Sequence, residues 1–230
     1  MTTGALEVLH VDNHVLVVLK PACVPTVPDE SGDESLLERA KSWVKQRFAK
    51  PGAVFLGVVQ RLDRPVSGVL VFARTSKAAA RLSEALREQR AHKLYWGVGE
   101  GEPRGDSGVL VQWLWKDEAK NRVHLVHAAH AGAREARTEW RVLARGAGRT
   151  LYEFRPLTGR AHQLRVAAAS LGTPLLGDLK YGASVPLPDQ SLALHARELS
   201  FEHPVRGERL LFRAPVPDLE AWAQARTLAG

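Results

Sequence analysis

Residues 58–71 read VVQRLDRPVSGVLV and contain the most informative pattern of the chain. Two runs rich in β-branched residues flank a polar segment, RLDRPV, and this pattern is typical of two strands joined by a loop. Asp63 lies in this segment between Arg61 and Arg64. Neighbouring cations favour the ionised form of a carboxyl group, which is the form that a nucleophile or a base needs. The alternative is a surface turn in which Asp and Arg side chains pair with one another.

Outward from this segment, apolar periodicity predicts a chain of many strands and few helices. Strands are predicted within Leu6–Lys20 (two, with a turn at Asp12-Asn13), Val54–Gln60, Ser67–Ala73, Lys93–Val98, Val109–Trp115, Arg122–Val126, Ala136–Leu143, Thr150–Phe154, Leu192–Phe201 and Glu208–Phe212. Helices are predicted over Ser35–Phe48, from Thr75, from about Arg160 to Gly172 with Thr158 as its cap, and after Pro217. Short links between strands predict an α+β fold with a mixed, largely antiparallel sheet and a few flanking helices.

The length of 230 residues suits a single domain, and we expect one domain over residues 1–230. The Gly-rich turn at residues 101–108 is the place where two lobes sharing one sheet would meet.

Composition excludes several classes of protein. Hydrophobic residues make up 45% and charged residues 25%, which are values of a globular chain. No apolar run reaches the roughly 18 residues of a membrane helix, and no signal peptide is visible, so we expect a cytoplasmic protein without membrane contact. Cys23 is the only cysteine, which excludes an internal disulfide.

The sequence predicts no metal or organic cofactor. The only metal-like pattern is His124, His127 and His130, and in a strand these positions do not share one face. We interpret this segment as a solvent-exposed strand end and loop. Motifs for dinucleotides, P-loop phosphates and a serine nucleophile elbow are absent from the sequence.

The charge balance points to an anionic partner. The net charge is +7, and 23 of the 32 cationic residues are Arg. Guanidinium groups bind phosphate with two hydrogen bonds and stack on bases, so this excess leans towards nucleic acid. Arg residues on solvated helix faces are the alternative explanation.

A second polar segment, RPLTGRAHQLR, covers residues 155–165. If a helix begins near Arg160, His162 and Arg165 lie away from the apolar stripe of that helix. Polar residues at a helix N-terminus suit a phosphate or carboxylate partner. A capped helix with a solvated face is the alternative.

Together these segments resemble the signature motifs of the RluA family of RNA pseudouridine synthases. The resemblance rests on QRLDRPVSGVLVFART and RPLTGRAHQLRVAAASLGTPLLGDLKYG, and on similar segments in the family's order: LEVLHVDNHVLVVLKPACVPTVP, HKLYWGVGEG, LWKDEAKNRV, ARTEWRVL and LALHARELSFEHPV. It covers most of the chain, and no extra N-terminal S4 RNA-binding domain is expected.

The resemblance implies isomerisation of specific uridines to pseudouridine in structured RNA, rRNA or tRNA, without a cofactor. It implies that Asp63 is the nucleophile, that Tyr95 packs on the target base and that Arg165 pairs with the catalytic Asp. Arg61 matches a residue that fills the space left by the flipped nucleotide. We expect further RNA contacts from Arg64, Arg160, His162 and Lys180.

Two departures from the family pattern affect substrate choice more than reaction type. Gln60 stands where the family commonly has His, and Arg64-Pro65-Val66 replaces a more polar stretch. We expect a monomer that binds an RNA stem-loop and needs no protein partner. A non-catalytic RNA-binding or RNA-folding protein on the same scaffold is the alternative, and a small-molecule glycosidase is less favoured because it would need two carboxylates.

Overall fold

The computed structural model describes residues 5–229. The strands are β1 Glu7–Val11, β2 Val15–Lys20, β3 Gly57–Val58, β4 Ser67–Ala73, β5 His92–Glu100, β6 Ser107–Asp117, β7 Arg122–Val126, β8 Arg134–Gly146, β9 Arg149–Pro156, β10 Leu194–Glu202 and β11 Arg209–Arg213. The helices are α1 Leu36–Arg47, α2 Ser76–Arg87, α3 Gln163–Ser170 and α4 Ala223–Ala229, with 3₁₀ turns at Leu179–Tyr181 and Glu220–Trp222. In the described part of the chain, no helix has the length and apolarity needed to cross a membrane.

The chain divides into two compact units. Unit 1 comprises the described residues up to His92 together with Glu198–Ala214, and unit 2 comprises Lys93–Arg197 together with the described residues from Pro215. The turn at residues 101–108 therefore lies inside unit 2.

Unit 1 is built on antiparallel strand pairs. β2 lies between β1 and β4, β3 adds a two-residue pairing to β4, and β10 pairs with β11. One face of these strands packs on α2, and the apolar residues that form this core are Val15, Val17, Val69, Val71, Ala73, Ala78, Leu82, Ala85, Ala91, Leu199, Phe201 and Ala214. Four consecutive residues of β2, Val15–Val18, are fully buried, which explains their continuous apolar sequence.

Local sequence signals determine where the two helices of unit 1 begin. Ser35 and Glu38 form a reciprocal capping box at α1, in which each side chain accepts a hydrogen bond from the other residue's backbone N–H. Thr75 caps α2 by accepting a hydrogen bond from the Ala78 N–H at 3.1 Å. Both starts match the prediction from sequence.

Unit 2 is an antiparallel sheet with the strand order β5-β9-β8-β6-β7. Helix α3 packs on this sheet through Val166, which contacts a core formed by Leu114, Val123 and Ala136. A second core contains Val98, Leu151, Leu176, Ala193, Trp222 and Ala225. Helices and antiparallel strands in both units confirm the predicted α+β class.

Two elements differ from the prediction, and both differences concern candidate site residues. The predicted strand Val54–Gln60 is reduced to Gly57–Val58, because the residues that follow leave the sheet to form the loop that carries Asp63. The helix predicted from Arg160 begins at Gln163 instead.

Thr158 is not the cap of this helix. His162 occupies the N-cap position in the left-handed conformation, with φ of +50°, and makes no side-chain capping bond. The Thr158 hydroxyl instead accepts the Arg137 N–H and donates to Oε1 of Gln163. The loop before α3 is therefore held to β8 by side chains and cannot extend the helix.

Candidate active site

Asp63 lies in the loop between β3 and β4, in unit 1. Its carbonyl oxygen accepts a hydrogen bond from the Val66 N–H at 3.0 Å, which closes a tight turn. The neighbouring side chains of Leu62 and Val66 are buried, whereas Asp63 is half-buried. The two apolar anchors fix the ends of the turn, so the carboxylate is presented by a rigid loop.

Thr26 holds this loop from one side. Its hydroxyl donates to the Leu62 carbonyl oxygen at 2.8 Å and accepts the Leu62 N–H at 3.2 Å. Thr26 thereby satisfies both backbone groups of a buried residue that has left the sheet, which would otherwise be costly.

Lys20, at the end of β2, holds the Asp63 loop by a hydrogen bond to its backbone. Its side chain is completely buried, and Nζ donates to the carbonyl oxygens of Pro21 at 2.9 Å and Arg64 at 3.0 Å. Burial lowers the pKa of Lys20 to about 7, although the nearby charges of Cys23 and Asp63 act in the opposite direction. A buried amine, protonated below about pH 7, therefore lies within electrostatic reach of the candidate nucleophile.

The two Arg residues beside Asp63 have different surroundings. The Arg64 guanidinium forms ion pairs with Asp33 and Asp29 in the loop that precedes α1. Arg61 is exposed. Arg64 thus has structural partners that the sequence did not indicate, whereas Arg61 faces solvent as expected of an RNA contact.

Tyr95 lies on β5 of unit 2, opposite Phe154 of β9, and is half-buried. Lys93 precedes it by two residues and so shares its face of the strand. Burial lowers the pKa of Lys93. Nζ of Lys93 lies close to Gly159, which belongs to the loop that leads into α3. A Cβ atom on residue 159 would be 3.9 Å from this nitrogen.

Arg165 on α3 forms a buried ion pair with Asp178. Nε and Nη2 of Arg165 donate to the two carboxylate oxygens of Asp178 at 2.7 and 2.6 Å. Residues Gln163–Ala168 are all buried, so Arg165, which the sequence places off the apolar stripe of the helix, lies in a buried ion pair and not on a solvated face.

Tyr181 connects several of the candidate residues of unit 2. Its ring stacks against the guanidinium of Arg165, at 5.0 Å, and that of Arg122, at 5.6 Å. Its hydroxyl accepts the Val123 N–H at 2.8 Å and lies 2.7 Å from Nδ1 of His162. Desolvation raises the pKa of Tyr181, so the hydroxyl keeps its proton at neutral pH.

The other two predicted RNA contacts in unit 2 are more exposed. Nε of Arg160 donates to the Glu135 carbonyl oxygen at 2.9 Å, and Nζ of Lys180 donates to the Asn121 carbonyl oxygen at 2.7 Å. His162 and Arg165 are thus brought together by Tyr181, and Lys180 is the residue before it in the chain.

No metal-binding group of three His, Cys, Asp or Glu residues occurs within residues 5–229. His124 and His130 instead pack against the ring of Trp115, at 5.8 and 5.1 Å between ring centroids.

The sequence patterns indicate no role for Lys20, Asp178 or Tyr181. A signal for Lys20 exists, since a charged residue closes the continuous apolar run VLVVLK before a proline. For Asp178 and Tyr181 the signal is weaker, because their partner Arg165 is more than ten residues away.

Comparison with known proteins relates the chain to RNA pseudouridine synthases. A sequence model described as RNA pseudouridylate synthase matches residues 14–170. The chain is 36% identical over 214 residues to an uncharacterized RNA pseudouridine synthase of Zymomonas mobilis, covering 93% of this chain and 94% of the relative. It is 34% identical over 216 residues to a dual-specificity RNA pseudouridine synthase RluA of Haemophilus influenzae, covering 91% and 92%.

Some relatives are longer. The ribosomal large subunit pseudouridine synthase D of Xanthomonas campestris is 36% identical over 230 residues, and the match covers 93% of this chain but 66% of the relative. An uncharacterized RNA pseudouridine synthase of Synechocystis, 34% identical, is likewise covered over 66% of its length.

Solved structures show the same fold. Human RNA pseudouridylate synthase domain containing 4 superposes with a TM-score of 0.78 at 24% identity, covering 96% of this chain and 92% of that one. Human RNA pseudouridylate synthase domain containing 1 gives a TM-score of 0.74 at 25% identity, covering 97% and 90%.

Proposed function

This chain belongs to the RNA pseudouridylate synthase family, and from that premise we propose that it isomerises specific uridines of structured RNA with Asp63 as the nucleophile. The observation that carries the role of Asp63 is the construction of its loop. Thr26 and Lys20 hold residues on either side of Asp63 by hydrogen bonds from outside the loop, and the carboxylate between them is half-buried. Rigid support of this kind is what a reacting group requires.

The proposed reaction needs one carboxylate and no external reactant. Attack of Asp63 on ribose C1′ breaks the C1′–N1 bond and leaves its electron pair on the uracil. After the base rotates, C5 bonds to C1′ as the ester to Asp63 breaks; the C5 proton is then lost and N1 gains a proton. In the other route the carboxylate removes the C2′ proton as the uracil leaves, which gives a glycal; C5 then adds to C1′, the proton returns to C2′, and the same exchange of a proton from C5 to N1 completes the product. The atoms of substrate and product are the same in both.

Tyr95 and Arg165 complete the proposed catalytic group. We assign to Tyr95 the packing of the target base, because a half-buried ring on a strand offers a fixed surface to a flipped nucleotide. We assign to Arg165 the support of the Asp63 carboxylate that the family resemblance implies.

RNA binding is proposed to use Arg61, Arg64, Arg160, His162 and Lys180. Arg61 is exposed, and Arg160 and Lys180 each make one described hydrogen bond to a backbone carbonyl. Arg64 is already paired with two carboxylates, so we expect its contribution to be the smallest.

The substrate is proposed to be a stem-loop of rRNA or tRNA. One similar protein is named for the large ribosomal subunit, which supports rRNA as a substrate class, and another is named as having dual specificity, which supports a substrate range wider than one RNA. We further propose that both units act as one catalytic domain, in the cytoplasm, as a monomer and without a cofactor.

Mapping of pseudouridines tests this function. RNA from cells with and without the gene is compared, and the purified protein is then added to RNA from the deletion strain. We expect at least one site to lose pseudouridine in the deletion strain and to regain it on addition of the protein. Binding of that RNA without product formation would instead favour the non-catalytic alternative.

A further inference from the structure

Asp178 holds Arg165 by one edge of its guanidinium. The pair uses Nε and Nη2, and the exposed fractions of the two side chains are 8% and 1%. A bidentate pair fixes the plane of the guanidinium as well as its position. Asp178 is itself anchored, because its carbonyl oxygen accepts the N–H groups of Tyr181 and Ala183 at 3.0 and 3.1 Å.

Tyr181 covers a face of the same guanidinium. Its ring centroid lies 5.0 Å from Cζ of Arg165, and its hydroxyl is tied to β7 by the Val123 N–H. The tyrosine therefore cannot turn away without losing a backbone hydrogen bond, and Arg165 is restrained by this ring as well as by the Asp178 carboxylate.

Because Asp178 binds Nε and Nη2, the Nη1 edge of Arg165 is not the edge that this carboxylate binds. A buried Arg–Asp pair is a poor source of stability, because desolvation of both charges offsets their attraction. The burial of this ion pair is therefore better explained by a role in orienting the Arg165 guanidinium than by a contribution to stability.

We propose that Asp178 and Tyr181 are positioning residues that aim the Nη1 edge of Arg165 at the reacting groups. This inference rests on the proposed function and deepens it. Asp178 does not touch substrate in this account, and its effect on the reaction passes entirely through Arg165.

The test is a double-mutant cycle of Asp178→Asn and Arg165→Met, read by the single-turnover rate of pseudouridine formation. The substrate is RNA from the deletion strain, with protein in excess and at a temperature where every variant is folded by thermal unfolding. Glu153→Gln is the matched control. Glu153 is also a buried carboxylate of unit 2, with 8% exposure, but its partners Arg141 and Arg155 are more than half exposed.

We expect Asp178→Asn to slow product formation about 10- to 100-fold, since a misplacement of 1 Å has effects of this size. In the Arg165→Met background, the same substitution should change the rate less than about threefold. Glu153→Gln should lower the unfolding temperature and leave the rate within about threefold of wild type. Equal slowing by Asp178→Asn in both backgrounds, or no more slowing than in Glu153→Gln, would overturn the inference.

Arg165→Lys tests the same claim if Asp178→Asn does not fold. A Lys keeps the positive charge beside Asp178 but has no second edge to present. Its rate should fall to within about threefold of Arg165→Met, and a rate close to wild type would contradict the proposal. A wild-type protein that forms no pseudouridine in any RNA would contradict the proposed function itself. Product formation by wild type with equal effects in the cycle would contradict only the role of Asp178.

Discussion

The Nζ atom of Lys20 and the carbonyl oxygen of Arg64 are 3.0 Å apart and hydrogen-bonded, although 44 residues separate them in the chain. This bond ties the end of β2, in which five of six residues are buried, to the residue after Asp63. The core of unit 1 therefore helps to determine where the Asp63 loop lies.

Replacement of Lys20 by Met should damage activity more than RNA affinity. The Arg64 carbonyl oxygen would lose its described donor, and the loop would lose a support under the nucleophile. We expect single-turnover rates to fall about 10- to 100-fold, with RNA affinity by filter binding within about threefold. Lys77→Met, at an exposed position on α2, is the control and should leave both quantities unchanged.

Lys20 should also make the stability of the protein depend on pH. In the unfolded chain this amine keeps its proton up to about pH 10.5, but in the folded protein it loses the proton near pH 7. Between these values the unfolded state holds more protons, so the free energy of unfolding rises with pH by at most about 1.4 kcal/mol per unit. Urea unfolding from pH 6 to 9 should show wild type gaining stability relative to Lys20→Met. A constant difference would contradict the lowered pKa.

Asp12 should contribute to acid sensitivity. Burial acts to raise the pKa of this carboxyl group, but hydrogen bonds from the N–H groups of His14 and Val15 outweigh it and hold the pKa well below its usual range. The contribution is therefore present above about pH 4 and is lost as pH falls through the lowered pKa. Nε2 of His203 also lies within 3.0 Å of the carboxylate.

The corresponding measurement is urea unfolding of Asp12→Asn at several pH values. At pH 7 this variant should lose about 1–3 kcal/mol, because a neutral amide accepts these hydrogen bonds less well. Its stability should fall less steeply than that of wild type below pH 4. Asp117→Asn, in unit 2, serves as control and should follow the wild-type curve; an Asp12→Asn curve parallel to wild type would show that Asp12 carries no such contribution.

RNA binding should weaken steeply with salt. A net charge of +7, most of it from Arg, implies several phosphate contacts that release counterions. We expect a plot of log affinity against log salt concentration to have a slope of magnitude at least about 3, at roughly 0.7–0.9 per contact. Replacement of the exposed Arg61 should reduce the magnitude of this slope by roughly 0.7–0.9, the value of one phosphate contact. An unchanged slope would show that Arg61 does not bind a phosphate.

The fold was predictable from local signals, because each element carries its own. The alternating residues of β1, the capping box at Ser35 and the cap at Thr75 all act over a few positions. The support of the site was not predictable in this way. The contacts of Lys20 with Arg64 and of Arg165 with Asp178 form only when the chain folds. A single sequence shows the types of these residues but not the distances between them.

The start of α3 shows the same limit at short range. The pattern of apolar residues indicated a helix from Arg160, but side-chain bonds of Gln163 hold the preceding loop. Its amide donates to the Arg137 carbonyl oxygen and the Thr138 hydroxyl, both at 2.9 Å, and its oxygen accepts the Arg160 N–H at 3.0 Å. Tertiary hydrogen bonds thus override helix periodicity where candidate binding residues lie.

The most direct test of the account is the rate of pseudouridine formation by Asp63→Asn under single-turnover conditions, measured beside its RNA affinity. The substitution keeps the shape of the side chain and removes the nucleophilic charge. We expect a loss of several orders of magnitude in rate, with RNA affinity within about threefold of wild type, because the loop and its supports remain. Turnover within about tenfold of wild type would contradict the assignment of Asp63 as the nucleophile.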